Sequence, residues 1–280
     1  MPNAKRWNNP RHVRSAAATR AASALLLGER LRARTTTRGS LGTFLIELPT
    51  PASVKILALA GFDFLVLDME HSPIDFSRLE PLVLAAHAVG IPVLVRTWGD
   101  GAGLIGKVLD IGAHGVMASH VENAERAREV VDQARYAPHG HRGFSPLARY
   151  DALEQPLHAL GKSTYVVLQI EGRKALEQVG GIAAVPGVDA VFVGPYDLAL
   201  SLGVPPGSAG VIDAAERIAK QVPKRVALGI YIDDPATCGA WAARGFTLQC
   251  VSFDARMLSS GARAVVEQAK RGLPRKRGGR

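Results

Sequence analysis

Eight short apolar runs recur along this chain, each followed by a segment with helix-compatible spacing, and that alternation constrains the fold more than any other feature. In order they are GTFLIEL from Gly42, FDFLVLD from Phe62, IPVLVR from Ile91, GVMA from Gly115, YVVLQIE from Tyr165, DAVFVG from Asp189, RVALGIY from Arg225 and FTLQCV from Phe246. The runs are short, rich in β-branched residues and bounded by Gly or Pro, as buried parallel strands are. Eight β-α units over roughly 230 to 250 residues match the count and size of a TIM (β/α)8 barrel, and right-handed crossovers leave few other closures. The expectation is therefore a single α/β barrel domain over residues 39–271. A doubly wound open sheet is the runner-up. Against it, no G-x-G-x-x-G follows the first strand, and the glycines between 99 and 106 do not fit a phosphate-cradling loop.

Charge divides the chain into a body and two ends. The net charge of +9 comes from the ends: residues 1–38 hold nine Lys and Arg against Glu29 alone, and residues 270–280 hold six with no acid. What lies between is mildly acidic, so no basic nucleic-acid groove is expected on the folded body. The segment 1–38 reads as a basic N-terminal extension, partly disordered, and 272–280 as a basic tail. The Arg, Ser, Ala and Thr richness of the extension resembles an organellar transit segment, and a basic tail after an upstream start reads the same way. Within it Ala21–Leu31 is compatible with a helix ending at the polar TTTRGS, placed to cover the base of the barrel. No apolar run reaches membrane-spanning length. Cys238 and Cys250 show no metal-ligand spacing, which points to a reducing compartment, and the cytoplasm is the expected location.

A barrel gathers its chemistry at the carboxyl ends of its strands. Polar residues stand there in this sequence: Glu47 after the first run, Asp68, Glu70 and His71 after the second, Arg96 after the third, Glu171 after the fifth and Asp197 after the sixth. The stretch Tyr165–Gly203 carries the last two on one β-α-β unit, so both carboxylates point into one crevice, where oxygen donors suit a divalent cation such as Mg, Mn or Zn. An alternative reading has Glu171 capping the next helix and Asp197 opening a turn. Ser119, His120, Tyr231 and Asp254 are less telling, and His120 reads as a rim or loop histidine.

The motifs GFDFLVLDMEHSPID, PVLVRTW, the GHRG turn at 140–143, LQIE and GVDAVFVGPYDLALSLG, in that order, resemble the class II, metal-dependent pyruvate aldolases of the dihydroxyheptenedioate aldolase (HpcH/HpaI) family. The resemblance spans about residues 22–270. It implies reversible aldol cleavage of a 4-hydroxy-2-oxo acid to pyruvate, or a close 2-oxo acid, and an aldehyde. By the same resemblance Glu171 and Asp197 match the ligands of a divalent cation (Mg, Mn, Co or Zn), with water and the 2-oxo acid filling the remaining positions. Arg96 matches the arginine that holds the 2-oxo oxygen and steadies the enolate. His71 matches the acid-base histidine, with Asp68 as its orienting partner. Gln169 and the backbone at Tyr196 match contacts to the pyruvate carboxylate, with Gly194 and Pro195 shaping that turn. Glu70 and Trp98 are expected in support, and Arg142 and Gly143 near the entrance. Lys107 and Lys162 do not stand at strand ends, which argues against a Schiff-base route.

The chain departs from the family pattern in two places. Ala118–Val121 lacks the proline many relatives carry after the fourth strand, and Phe253 stands where small residues are common. Both changes fall at the barrel mouth and bear on the aldehyde. Relatives form trimers of dimers, and Asp254–Arg271 carries Met257, Leu258, Ala262, Val265, Val266 and Ala269 on one broad face. A homo-oligomer, a hexamer of that kind, is therefore expected; periodicity alone equally allows the helix to pack on its own barrel. Two other functions remain open on sequence grounds. One is a citrate-lyase-type lyase acting on a coenzyme A thioester, and the other a non-catalytic basic-tailed scaffold or nucleic-acid-binding protein.

Overall fold

The structure, a computed structural model, describes residues 26–37, 39–98, 103–145 and 164–273. It opens with helix α1 (Leu27–Thr37), after which strands and helices alternate. They run β1 (Ser40–Leu45), α2 (Pro51–Ala60), β2 (Phe64–Asp68), α3 (Phe76–Val89), β3 (Val93–Thr97), α4 (Leu104–Asp110) and β4 (Gly115–Ala118). Then come α5 (Ala124–Ala134), β5 (Tyr165–Ile170), α6 (Arg173–Ala184), β6 (Ala190–Val193), α7 (Pro195–Leu202) and α8 (Ala209–Gln221). The chain ends in β7 (Ala227–Ile232), α9 (Cys238–Ala243), β8 (Phe246–Phe253) and α10 (Asp254–Gly272). Every strand pairs in parallel with the next and β8 closes on β1, so the expected (β/α)8 barrel is formed and the open sheet is not.

Two apolar layers hold it. The outer one lies between strands and helices, where Leu65, Leu67, Val93, Val95, Val166 and Leu168 meet residues such as Leu79, Val130 and Val179. The inner one fills the barrel with Phe44, Phe64, Val66, Leu94, Met117, Tyr165, Val167, Phe192, Leu248 and Cys250. Large rings fit because glycines face them: a Cβ on Gly42 would lie 2.4 Å from the Phe64 ring. Strand alternation then dictates what stands above this packed floor. On β5 the inward series is Tyr165, Val167, Gln169 and, just past the strand, Glu171. On β2 it ends at Asp68 and on β3 at Arg96, two residues paired directly in the register.

At the opposite end α1 plugs the barrel, with Leu27 and Leu31 buried. The helix runs on through threonines expected to form a linker, and the Thr36 and Thr37 hydroxyls donate back to carbonyls one turn earlier. Arg32 and Arg135 both reach Asp189, at 2.7 and 2.6 Å, tying α1 and α5 to the strand-start end. The expected extension up to residue 25, its targeting reading, and the tail from residue 274 lie outside the described residues. Among the described residues no helix is long and apolar enough to cross a membrane.

Candidate active site

One cavity of about 330 Å³ opens at the carboxyl ends of the strands, lined by Phe44, Ile46, His71, Arg96, Gln169, Phe192, the Gly194–Asp197 turn, Tyr231 and Phe253. Its polar end is built on neighbouring strands. The Arg96 guanidinium meets the fully buried Asp68 through two bonds, Nε to Oδ1 at 2.8 Å and Nη2 to Oδ2 at 2.5 Å. Glu70 lies 3.4 Å from the same Nε, and the Phe44 ring lies 4.9 Å beneath the guanidinium carbon. Burial opposes the charge of Arg96, but the hydrogen bonds and charge of Asp68, then Glu70 and Glu171, outweigh it and raise its pKa. This fork is therefore fixed and permanently cationic at the cavity wall.

Glu171 is buried beside it. Its Oε1 accepts the backbone N–H of His120 at 2.7 Å, and its Oε2 accepts the side-chain N–H of Gln169. Burial lifts the Glu171 carboxyl above the ordinary carboxylate range; the His120 N–H and ring pull it down, while the charges of Glu70 and Asp197 add to the rise. Asp197 stands in the first turn of α7, a helix with Pro195 at its start and no side-chain cap, so its first amides face the mouth. Gly194 allows that turn to pass close: a Cβ there would lie 2.7 Å from Gln169 Nε2 and 2.9 Å from Glu171 Oε2.

The pairing expected between Asp68 and His71 is replaced. Asp68 is the last residue of β2 and points into the barrel, where Arg96 and the Glu70 N–H take both its oxygens. His71 lies past the strand in a bend, its side chain 61% exposed, and the carboxylate facing its Nε2 is Glu70, at 3.7 Å. Glu70 and His120 are the residues that sequence reasoning undervalued. His120, in a left-handed conformation at φ 53°, sets Nε2 3.1 Å from Glu70 and Nδ1 3.3 Å from Glu171, bridging the two acids. The position just past a strand is the signal both carry, Glu70 after the second run and His120 after the fourth, and in His120 it was too weak to outweigh a rim reading. Arg142 and Gly143 line a separate hollow, with Arg142 bonded to Asp110 at 2.6 Å. Lys107 lies on α4 with its ammonium over the Phe76 ring, and Lys162 is outside the described residues.

Glu171 and Asp197, with Glu70 near, form an oxygen-only, electron-rich set, and the buried Gln169 Oε1 beside them has no hydrogen-bond partner. Those donors suit a hard or borderline dication that keeps open positions. Among the described residues no group of three or more His, Cys, Asp or Glu is arranged to hold a metal ion.

A parallel eight-stranded barrel with such a mouth is an enzyme-type architecture, its acids and arginine gathered at the strand ends. The model of the HpcH/HpaI aldolase/citrate lyase family matches residues 42–260, and the chain belongs to that family. It is 34% identical to the 2-dehydro-3,6-dideoxy-6-sulfogluconate aldolase of Pseudomonas putida, over 82% of this chain and 92% of that protein. It is also 34% identical to the hydroxypyruvate/pyruvate aldolase of Rhizorhabdus wittichii, over 80% and 92% respectively. The crystal structure of an HpcH/HpaI aldolase from Desulfitobacterium hafniense superposes with a TM-score of 0.78 at 32% identity, covering 84% of this chain and 94% of that one. The family is in general dependent on divalent metal.

Proposed function

We propose that this enzyme reversibly cleaves a 4-hydroxy-2-oxo acid to pyruvate, or a close 2-oxo acid, and an aldehyde, with a divalent cation (Mg, Mn, Co or Zn) held by Glu171 and Asp197. The observation that carries the reading is the convergence of Arg96, Gln169, Glu171 and the Gly194–Asp197 turn around one small cavity. When bound, the cation supplies Lewis acidity to the 2-oxo group. Arg96, fixed by Asp68, donates to the 2-oxo oxygen and meets the growing enolate charge more strongly than the ground state. The first-turn amides at Tyr196 receive the carboxylate, with Gln169 beside them on the same cavity wall. His71, on the cavity wall beside Glu70, takes the proton of the 4-hydroxyl. The C3–C4 bond then breaks, its electron pair entering the enolate while C4 leaves as the aldehyde carbonyl. Protonation at C3 completes pyruvate.

The citrate-lyase-type alternative fits less well, because the relatives that cover most of the chain are named as aldolases. A homo-oligomer belongs to the same reading, supported by the uncovered apolar face of α10, on which Leu258, Val265 and Val266 are 62%, 68% and 49% exposed. A cytoplasmic location does too, supported by two unpaired thiols, Cys238 and Cys250. The test is exchange of pyruvate methyl protons into deuterated water, with and without each metal, alongside cleavage. Glu171→Gln and Asp197→Asn should each lose metal-stimulated exchange and Mn binding while keeping the circular dichroism of the unaltered enzyme. Near-normal metal-dependent turnover in either variant would sink the assignment.

A further inference from the structure

Asp233, the residue just past β7, gathers side chains from three elements, and the pyruvate chemistry described above uses none of these side chains. Its Oδ2 accepts the hydroxyl of Tyr196, on α7. Its Oδ1 accepts the hydroxyl of Tyr231, on β7, at 3.1 Å and pairs with Arg256, in the first turn of α10. The Arg256 guanidinium carbon in turn lies 5.7 Å from the Phe253 ring centre, and the two tyrosine rings are 5.9 Å apart. Tyr196 and Tyr231 stand on the cavity wall, whereas Asp233 and Arg256 stand behind it, outside the residues that line the cavity. The carboxylate therefore reaches the cavity through the tyrosines.

The place of Tyr196 gives that reach a consequence. Its amide lies in the first turn of α7, which has no side-chain cap and whose buried residues, Leu198 and Ala199, come only afterwards. On the β5 side the turn is tied by the Gly194 N–H, which donates to the Ile170 carbonyl at 3.2 Å. On the β7 side the tie is the Tyr196 hydroxyl on Asp233. A hydroxyl fixes a turn only where its acceptor is itself fixed. Tyr231 and Arg256 supply this, because together they occupy the other carboxylate oxygen and leave Asp233 oriented towards Tyr196. Little stability is at stake: the Asp233 and Arg256 side chains are 44% and 42% exposed, and ion pairs in such settings contribute little. Ordering four polar side chains for so small a return, at the start of a helix that faces the ligand, is explained by position rather than by stability.

We propose that Asp233 is a positioning residue for pyruvate: through the Tyr196 hydroxyl it fixes the first turn of α7, so that the Tyr196 amide meets the substrate carboxylate. This rests on the aldolase reading above. That carboxylate carries the same charge in bound pyruvate and in the enolate, so a misplaced amide weakens both alike and shows in KM rather than kcat. The measurement is exchange of pyruvate methyl protons into deuterated water by the full chain with saturating Mn. Asp233→Ala and Tyr196→Phe are each expected to raise KM for pyruvate about tenfold, the scale of one hydrogen bond to a charged group, with kcat within about twofold of the unaltered enzyme. Because both act through one contact, the double variant should be no worse than either single one. Unchanged KM in the two single variants overturns the proposal. So do effects that multiply in the double variant, or a fall in kcat or melting temperature alongside the rise in KM, since a merely structural wall would behave in that way. Exchange by the unaltered enzyme with a KM indifferent to these residues removes the positioning role alone, whereas no exchange with any metal removes the aldolase reading and the role with it.

Discussion

Asp68 and Arg96 face each other in the β2–β3 register, so the buried acid holds the buried cation, and His71 stands at the rim beside Glu70. That division is testable residue by residue. Asp68→Asn should behave like Arg96→Lys, losing pyruvate proton exchange together with cleavage, because either change loosens the fork at the 2-oxo oxygen. His71→Ala should keep exchange better than cleavage, with cleavage falling by about a hundredfold to ten-thousandfold as for loss of a general base. Asp68→Asn should also destabilise the fold by about 3–5 kcal/mol, the usual cost of leaving one partner of a buried pair uncompensated, as read from urea titration. Exchange surviving in Asp68→Asn as it does in His71→Ala would return Asp68 to the histidine.

At the scale of elements, the decisive joint is the passage from β6 into α7. Here a strand end, an uncapped helix start and Glu171 of the preceding unit come within contact of one another, and Gly194 is what lets them. Its φ of −90° suits any residue, so the restriction is one of space. Gly194→Ala should push Gln169 and Glu171 aside and weaken metal affinity by about 10–100-fold, the range seen when support around a metal ligand is lost, with little change in melting temperature. Titration with Mn followed by paramagnetic resonance checks it; unchanged affinity would mean that Glu171 is not a ligand or that the loop yields freely. A second joint ties α10 to the mouth. The Asp254 carboxylate accepts backbone N–H groups from Ile46, Glu47, Leu48 and Ala255, pinning the exit of β1 against the start of the last helix.

For the whole molecule, α10 leads from that joint into solvent: Met257 packs on the barrel core, but beyond it the apolar face, with Leu258, Val265 and Val266, is left exposed. Light scattering at micromolar concentration should therefore report at least a dimer, and Val265→Glu together with Val266→Glu should shift the population towards monomer. A monomeric unaltered protein would contradict this. The barrel interior sets a second global property. Burial raises the Tyr165 phenol well above its ordinary value, the Thr35 hydroxyl offsetting this in part, and burial likewise raises the Cys250 thiol. Both groups stay neutral in the folded state while the unfolded chain ionises, so stability is lost as pH rises through the unfolded values, near 8.5 for a thiol and about 10 for a phenol. Each group contributes a slope of about 1.4 kcal/mol per pH unit above its own threshold. Denaturant midpoints between pH 8 and 11 should fall accordingly, and less steeply in Cys250→Ser once the two curves are normalised at pH 7.

The strand pattern, the barrel and the strand ends that carry the chemistry were legible in the sequence because they are local properties. Alternation along Tyr165–Glu171 sends Gln169 and Glu171 inward whatever the rest of the chain does, and an acid or arginine closing a buried strand must stand at the mouth. Which group answers which was not legible. Asp68 meets Arg96, Glu70 meets His120, and Tyr196, Tyr231 and Arg256 converge on Asp233 through inter-strand register and barrel closure. Apart from Tyr231, two residues from Asp233, those relations join residues 23 to 50 positions apart in the chain, and no short-range period encodes them. The face of α10 shows the same limit: its periodicity required a partner surface, and only the tertiary structure decided that its own barrel covers Met257 and leaves Leu258, Val265 and Val266 exposed.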